Sequence, residues 1–219
     1  MPLNLPRSIL YLITQGATTE LTTRHSPEFQ AVLAQVTAAV AAGIDLIQIR
    51  EKNLSARVLF ELTERVMLLV QDTQVKVLIN DRADIAAGAR ADGVHLRTDS
   101  LDAGLVRKTF GPGLLIGVST HSADEVRRAR DAGADFVVFG PVFETYSKQS
   151  YGPPVGLEEL ARVTRTWTDF PVIALGGVSV DNARDCLRAG AAGIAGIGMF
   201  SDPGGLAAVT AKIRSRQDE

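Results

Sequence analysis

The chain predicts a (β/α)8 barrel, and three observations carry that reading. Eight short apolar runs alternate with helix-like segments along 219 residues. The runs are continuously apolar rather than alternating, as suits strands of a parallel sheet covered by helices. A weak internal repeat precedes every second run: Ala42-Gly43-Ile44-Asp45, Ala91-Asp92-Gly93, Ala132-Gly133-Ala134-Asp135 and Ala189-Gly190-Ala191. Each copy reads as a helix end followed by the start of a strand. That is the end of a barrel where stability residues collect, so Asp45, Asp92 and Asp135 are read as structural.

In order, residues 8–14 (SILYLIT) form the first strand, and residues 15–25 a polar loop. Ser26, Pro27 and Glu28 start a helix, with Pro at its first position, and Gly43 stops it. Residues 46–50 (LIQIR) are strand two and 55–70 helix two. Residues 75–79 (VKVLI) are strand three, followed by a short helix over 83–91. Strand four is 93–96, with a helix over 101–110. Strand five is 114–118, its helix 122–131, and strand six 136–139. Helix six covers 157–167, strand seven 171–175, helix seven 180–189, strand eight 193–197 and a closing helix 206–215. The connections are short, which predicts one barrel domain over residues 1–219.

The composition is 46% hydrophobic and 22% charged, with a formal net charge of −2. No basic stripe argues for nucleic acid, and no uncharged run reaches membrane-spanning length. The start, MPLNLPRSILYLIT, fits a first strand better than a signal peptide, because no small-residue cleavage site follows its apolar run. Cys186 is the single cysteine. It excludes an internal disulfide, reads as structural, and predicts a reducing, cytoplasmic setting. The oligomeric state is left open, a homo-oligomer included.

Chemistry in such barrels sits at the C-terminal ends of strands. Gln48, Arg50 and Lys52 alternate, so they share one side of strand two and its end. Two cations and an amide there suit an anion, most readily phosphate, because Arg offers a bidentate fork and Lys a point charge. A buried Arg–carboxylate pair with an exposed Lys is the structural alternative. Asn80-Asp81 close strand three, either as an Asx turn capping the next helix or, for Asp81, as a ligand to a hard metal such as Mg²⁺ shared with phosphate oxygens. His95, inside strand four, reads as a hydrogen-bonded core residue. Ser119 and His121 end strand five, and His121 is either structural, beside the N-cap Ser122, or a proton carrier. Thr145, Ser147 and Lys148 lie in a long polar loop running to Gly156, of a size that suits a lid or binding loop. Gly176-Gly177 after strand seven and Gly196/Gly198 around the end of strand eight suit a backbone phosphate site. Two anion sites imply two phosphorylated ligands, or one ligand phosphorylated at both ends.

Six motifs in order, QIREK (48–52), LINDRAD (78–84), ADGVHL (91–96), IGVSTHS (116–122), GADFVVFGPVF with T-x-S-K (133–148) and PVIALGGV (171–178), resemble the thiamine-phosphate synthase family. That family shares a superfamily with a thiazole tautomerase. The resemblance implies a barrel enzyme that joins a hydroxymethylpyrimidine diphosphate to a thiazole phosphate, with Mg²⁺ as cofactor. It implies that Gln48, Arg50, Lys52, Asn80, Ser119 and Lys148 hold the pyrimidine diphosphate and that Asp81 ligates Mg²⁺. Thr145, Ser147, Gly177, Ile197 and Gly198 would hold the thiazole phosphate, with Arg50, Lys52, His121 and Lys148 the catalytic candidates. Three departures stand out. After G-V-H-L the synthases continue Gly-Gln-Glu-Asp, its last Asp a second metal ligand; here the residues are Arg97-Thr98-Asp99-Ser100. Gly198 stands where synthases tend to have Ser, and FGPVFET is closer to the tautomerase branch, in which His121 would be the acid/base. The alternatives are therefore a thiazole tautomerase and a non-catalytic precursor-binding relative. Retention of Lys52, Asp81 and Lys148 puts the synthase first.

Overall fold

The computed structural model describes residues 8–145 and 153–215. Its parallel strands are β1 (Ile9–Ile13), β2 (Leu46–Ile49), β3 (Lys76–Asn80), β4 (Gly93–Leu96), β5 (Leu115–Thr120), β6 (Phe136–Phe139), β7 (Val172–Ala174) and β8 (Gly193–Gly196). They pair in sequence order, and β8 pairs with β1 to close the barrel. Helices follow the strands: α1 (Pro27–Ala41), α2 (Ala56–Val70), α3 (Ala83–Gly88), α4 (Ala103–Phe110), α5 (Ala123–Asp131), α6 (Gly156–Thr166), α7 (Ala183–Arg188) and α8 (Leu206–Ser215). The expected (β/α)8 barrel is the observed fold.

Side chains alternate along each strand, which splits the core in two. Ile9, Tyr11, Ile13, Leu46, Leu78, Phe136, Val138, Ile173 and Ala195 fill the barrel interior. Leu10, Leu12, Ile47, Ile49, Val77, Ile79 and Val137 face the helices. By the same alternation Gln48, Asn80, His95 and Ser119 point inward. At Gly117 a Cβ would sit 2.3 Å from the Phe136 ring, so the glycine makes room for that ring inside the barrel.

The repeated aspartates are structural, as their position predicted. Asp45, Asp92 and Asp135 each accept a backbone N–H from the preceding strand: Leu10 at 2.8 Å, Val77 at 2.9 Å and Ile116 at 2.7 Å. Each also meets a cation: Arg214 at 3.0 Å, Lys76 at 2.8 Å and Arg107 at 2.6 Å. The carboxylate thus ties an odd strand to the even strand that follows it.

Boundaries shift where long-range pairing decides them. β3 extends through Asn80, which pairs with His95. β5 extends through Thr120, because Ser119 pairs with Val138 and Thr120 with Phe139. α3 stops at Gly88, where Arg90 turns to φ 58°.

Candidate active site

The C-terminal mouth gathers the ends of β2, β3, β4 and β5. Gln48 is only 2% exposed, and its amide nitrogen has no hydrogen-bond partner among the described residues. A buried unsatisfied donor is costly, so it marks a place where a ligand or water completes the site. Arg50 follows two residues on, its backbone N–H donating to Thr14 Oγ1 at 2.8 Å. Lys52 is exposed at the rim. Its partial burial, then the charges of Arg50 and Arg97, push its ammonium below the usual lysine value against the pull of Asp81 and Asp99.

A cavity of about 260 Å³ is lined by Lys52, Asn80, Asp81 and Arg97, among others. Asp81 does not cap α3, whose N-cap residue Arg82 makes no side-chain capping bond. Its backbone takes φ 56°, and its N–H donates to the His95 carbonyl at 2.9 Å. The Arg97 backbone N–H donates to Asp81 Oδ1 at 3.0 Å, and Arg97 Nε to Oδ2 at 2.5 Å. Asn80 Nδ2 donates to the same Oδ2 at 3.0 Å. Burial raises the Asp81 pKa, but the Arg97 and Ser100 hydrogen bonds and the Arg97 charge outweigh it and hold the carboxyl below its ordinary value.

These contacts bear on Mg²⁺. Both Asp81 oxygens are engaged by donors, and a guanidinium already neutralises them. Magnesium needs hard oxygen donors facing it, and this arrangement does not fit one.

At β5, Ser119 Oγ lies 2.9 Å from His95 Nε2, while His95 Nδ1 is 3.3 Å from the buried Tyr11 hydroxyl. His95 is therefore an internal strut that orients Ser119. His121 places Nδ1 against the Gly140 carbonyl oxygen, and its backbone N–H donates to Glu125 Oε2 at 2.6 Å. A carbonyl only accepts, so Nδ1 is the donor of that contact. Ser122 is the N-cap of α5, as expected, accepting from Glu125 N at 3.3 Å.

Across the mouth, Phe143 N donates to the Gly176 carbonyl at 2.9 Å and Val142 N to Leu175 O at 2.9 Å. A Cβ at Gly177, where φ is 64°, would lie 2.4 Å from the Glu144 carbonyl oxygen. Close packing of the loops after β6 and β7 therefore requires this glycine irrespective of any phosphate. A Cβ at Gly198 would meet nothing within 4 Å, and Ile197 and Gly198 open the 3₁₀ turn Gly198–Phe200 after β8. Thr145 ends the described part of the long loop; Ser147 and Lys148 lie outside the described residues.

Residues 10–200 match the family described as thiamine monophosphate synthase. The chain belongs to that family. A protein of Geobacter sulfurreducens is 45% identical over 89% of this chain and 87% of its own. A Moorella thermoacetica protein named thiamine-phosphate synthase is 39% identical over 83% of this chain and 86% of its own. The solved structure of a thiamine phosphate pyrophosphorylase from Pyrococcus furiosus superposes with a TM-score of 0.77 at 30% identity, covering 95% of this chain and 94% of that one.

Sequence reasoning about this family member missed two residues at the mouth. Glu51 is buried, and its carboxylate accepts from Gly16 N, Thr18 N and Thr18 Oγ1, the last at 2.7 Å, pinning the loop after β1. Nothing local signals this, since its partners lie 33 to 35 residues away. Arg97 had a signal: it replaces the first glycine of the synthase pattern.

Proposed function

We propose that this family member is a thiamine-phosphate synthase. It joins a hydroxymethylpyrimidine diphosphate to a thiazole phosphate and releases diphosphate. The observation that carries the reading is the inward-facing set Gln48, Asn80 and Ser119, beside Arg50 and Lys52, with the Gln48 amide donor buried and unpartnered among the described residues. A monophosphate alone leaves that set without a use. In this reading Gln48, Asn80 and Ser119 orient the pyrimidine, and Arg50, Lys52 and Lys148 balance charge growing on the departing diphosphate. Thr145, Ser147, Gly177, Ile197 and Gly198 seat the thiazole phosphate. The setting is a reducing cytoplasm, and the partners are small phosphorylated molecules. Mg²⁺, which the family resemblance implies, has Asp81 as its carboxylate, and that carboxylate is held by Arg97; stabilisation of diphosphate is therefore assigned to the cationic side chains.

One observation favours a second reading, a thiazole tautomerase: the Gly140 carbonyl orients the His121 ring at the end of β5. Two assays separate them. With both substrates supplied, the synthase forms thiamine phosphate; its absence at saturating substrate overturns the first reading. The thiazole carboxylate phosphate tautomer alone, supplied separately, isomerises only under the second. Isomerisation that survives His121→Ala overturns that mechanism.

A further inference from the structure

Two departures from the synthase pattern, Arg97 and Ser100, change the acidic groups at this mouth. Arg97 grips Asp81 through both its backbone and its side chain. Ser100 stands where the resemblance places a second acidic ligand, so that position supplies no carboxylate. Each change alone weakens a divalent-cation site; together they remove one carboxylate and pair the other. Arg97 also lines the same cavity as Lys52 and Asn80. Among the described residues a further acidic contact of Arg97 is Asp99 at 3.4 Å, whose side chain is 72% open to solvent. Such pairs are weak and exchange readily for a stronger anion. A guanidinium matches phosphate oxygens bidentately and cannot lose its charge.

We propose that Arg97, latched on Asp81, is a diphosphate-binding residue that takes the place of a divalent cation at this mouth, acting with Arg50 and Lys52. The proposal deepens the synthase reading and rests on a diphosphate ligand binding there. It makes Arg97 a specificity residue: the site recognises diphosphate as a free anion rather than as a metal complex.

The test is calorimetric titration of the whole chain with inorganic pyrophosphate, in EDTA and in excess Mg²⁺, with no turnover involved. Wild type binds in EDTA with a Kd within about threefold of that in Mg²⁺, whereas Arg97→Gly loses about tenfold or more in EDTA, the worth of a charged hydrogen bond, and regains it with Mg²⁺. Arg97→Lys, which keeps the charge but not the fork, falls between. Mn²⁺ alone, followed by electron paramagnetic resonance, binds Arg97→Gly and not wild type. Wild-type binding that requires Mg²⁺ overturns the proposal, and so does Arg97→Gly binding pyrophosphate in EDTA as well as wild type does. Should Arg97→Gly fail to fold, the wild-type comparison and Arg97→Lys decide. Failure to form thiamine phosphate with these binding results intact overturns the synthase reading alone.

Discussion

Gln48 serves two ends that pull apart. Its amide nitrogen is buried without a partner among the described residues, which costs stability, at a position where a ligand would gain a donor. Gln48→Met keeps the volume and removes the unsatisfied group. It is expected to raise stability by about 1 kcal/mol in urea unfolding, while kcat/KM for thiamine phosphate formation falls by about tenfold or more. A loss of stability with activity unchanged would remove Gln48 from the site. Cys186 is the opposite case, a residue with no demand beyond packing. It is fully buried, and burial, then the Asp185 charge, pushes its thiol up to about 12. The reactive thiolate is thus scarce at neutral pH. A thiol-reactive disulfide reagent at pH 8 is expected to label the protein only after denaturant is added; fast labelling of the folded chain would contradict the burial.

At the scale of elements, glycines set how closely strands and loops approach. Gly117 lies opposite Phe136 in the β5–β6 pair, where a Cβ would overlap the ring. Gly117→Ala is expected to cost about 1–3 kcal/mol by overpacking, read by chemical denaturation. Among the described residues the ring meets Tyr11 and His95, at centroid distances of 5.9 and 6.2 Å. The strain is therefore expected to pass to the His95–Ser119 hydrogen bond, and a rise in KM for the pyrimidine substrate would show Ser119 to be part of the site. An Ala variant as stable as wild type would mean that the interior is looser than the register implies.

The whole molecule separates stability from chemistry by face. Asp45, Asp92 and Asp135 hold the N-terminal end, whereas Gln48, Arg50, Asn80 and Ser119 line the C-terminal mouth, as barrels of this kind arrange them. Asp45→Ala leaves the buried Leu10 N–H without its side-chain acceptor and Arg214 without its carboxylate partner. It is expected to cost about 3 kcal/mol or more and to leave kcat/KM of the folded protein near wild type. Arg50→Ala should do the reverse, with kcat down about 100-fold and the melting temperature little changed. Parallel melting curves and initial rates check both; two variants that behave alike would dissolve the division.

Local patterns determined much of this protein. Continuous apolar runs marked all eight strands, because a strand covered on both faces has no polar side to show. Helix starts at Pro27 and Ser122 were readable from capping chemistry, and the strand-end positions of Gln48, Asn80, Ser119 and His121 from alternation and order. The structural reading of Asp45, Asp92 and Asp135 came from their repeat. What only the tertiary structure decided is which partner each group meets. β3 lies against β4, and that pairing carries Arg97 onto Asp81, 16 residues away in the chain. The loops after β6 and β7 press together, and that contact, not phosphate alone, explains Gly177. Such partners are set by barrel closure, and a single sequence records them only as residues out of pattern. Asp81 carries a charge that a metal, a guanidinium or a helix end could each satisfy; the fold places the guanidinium of Arg97 on it.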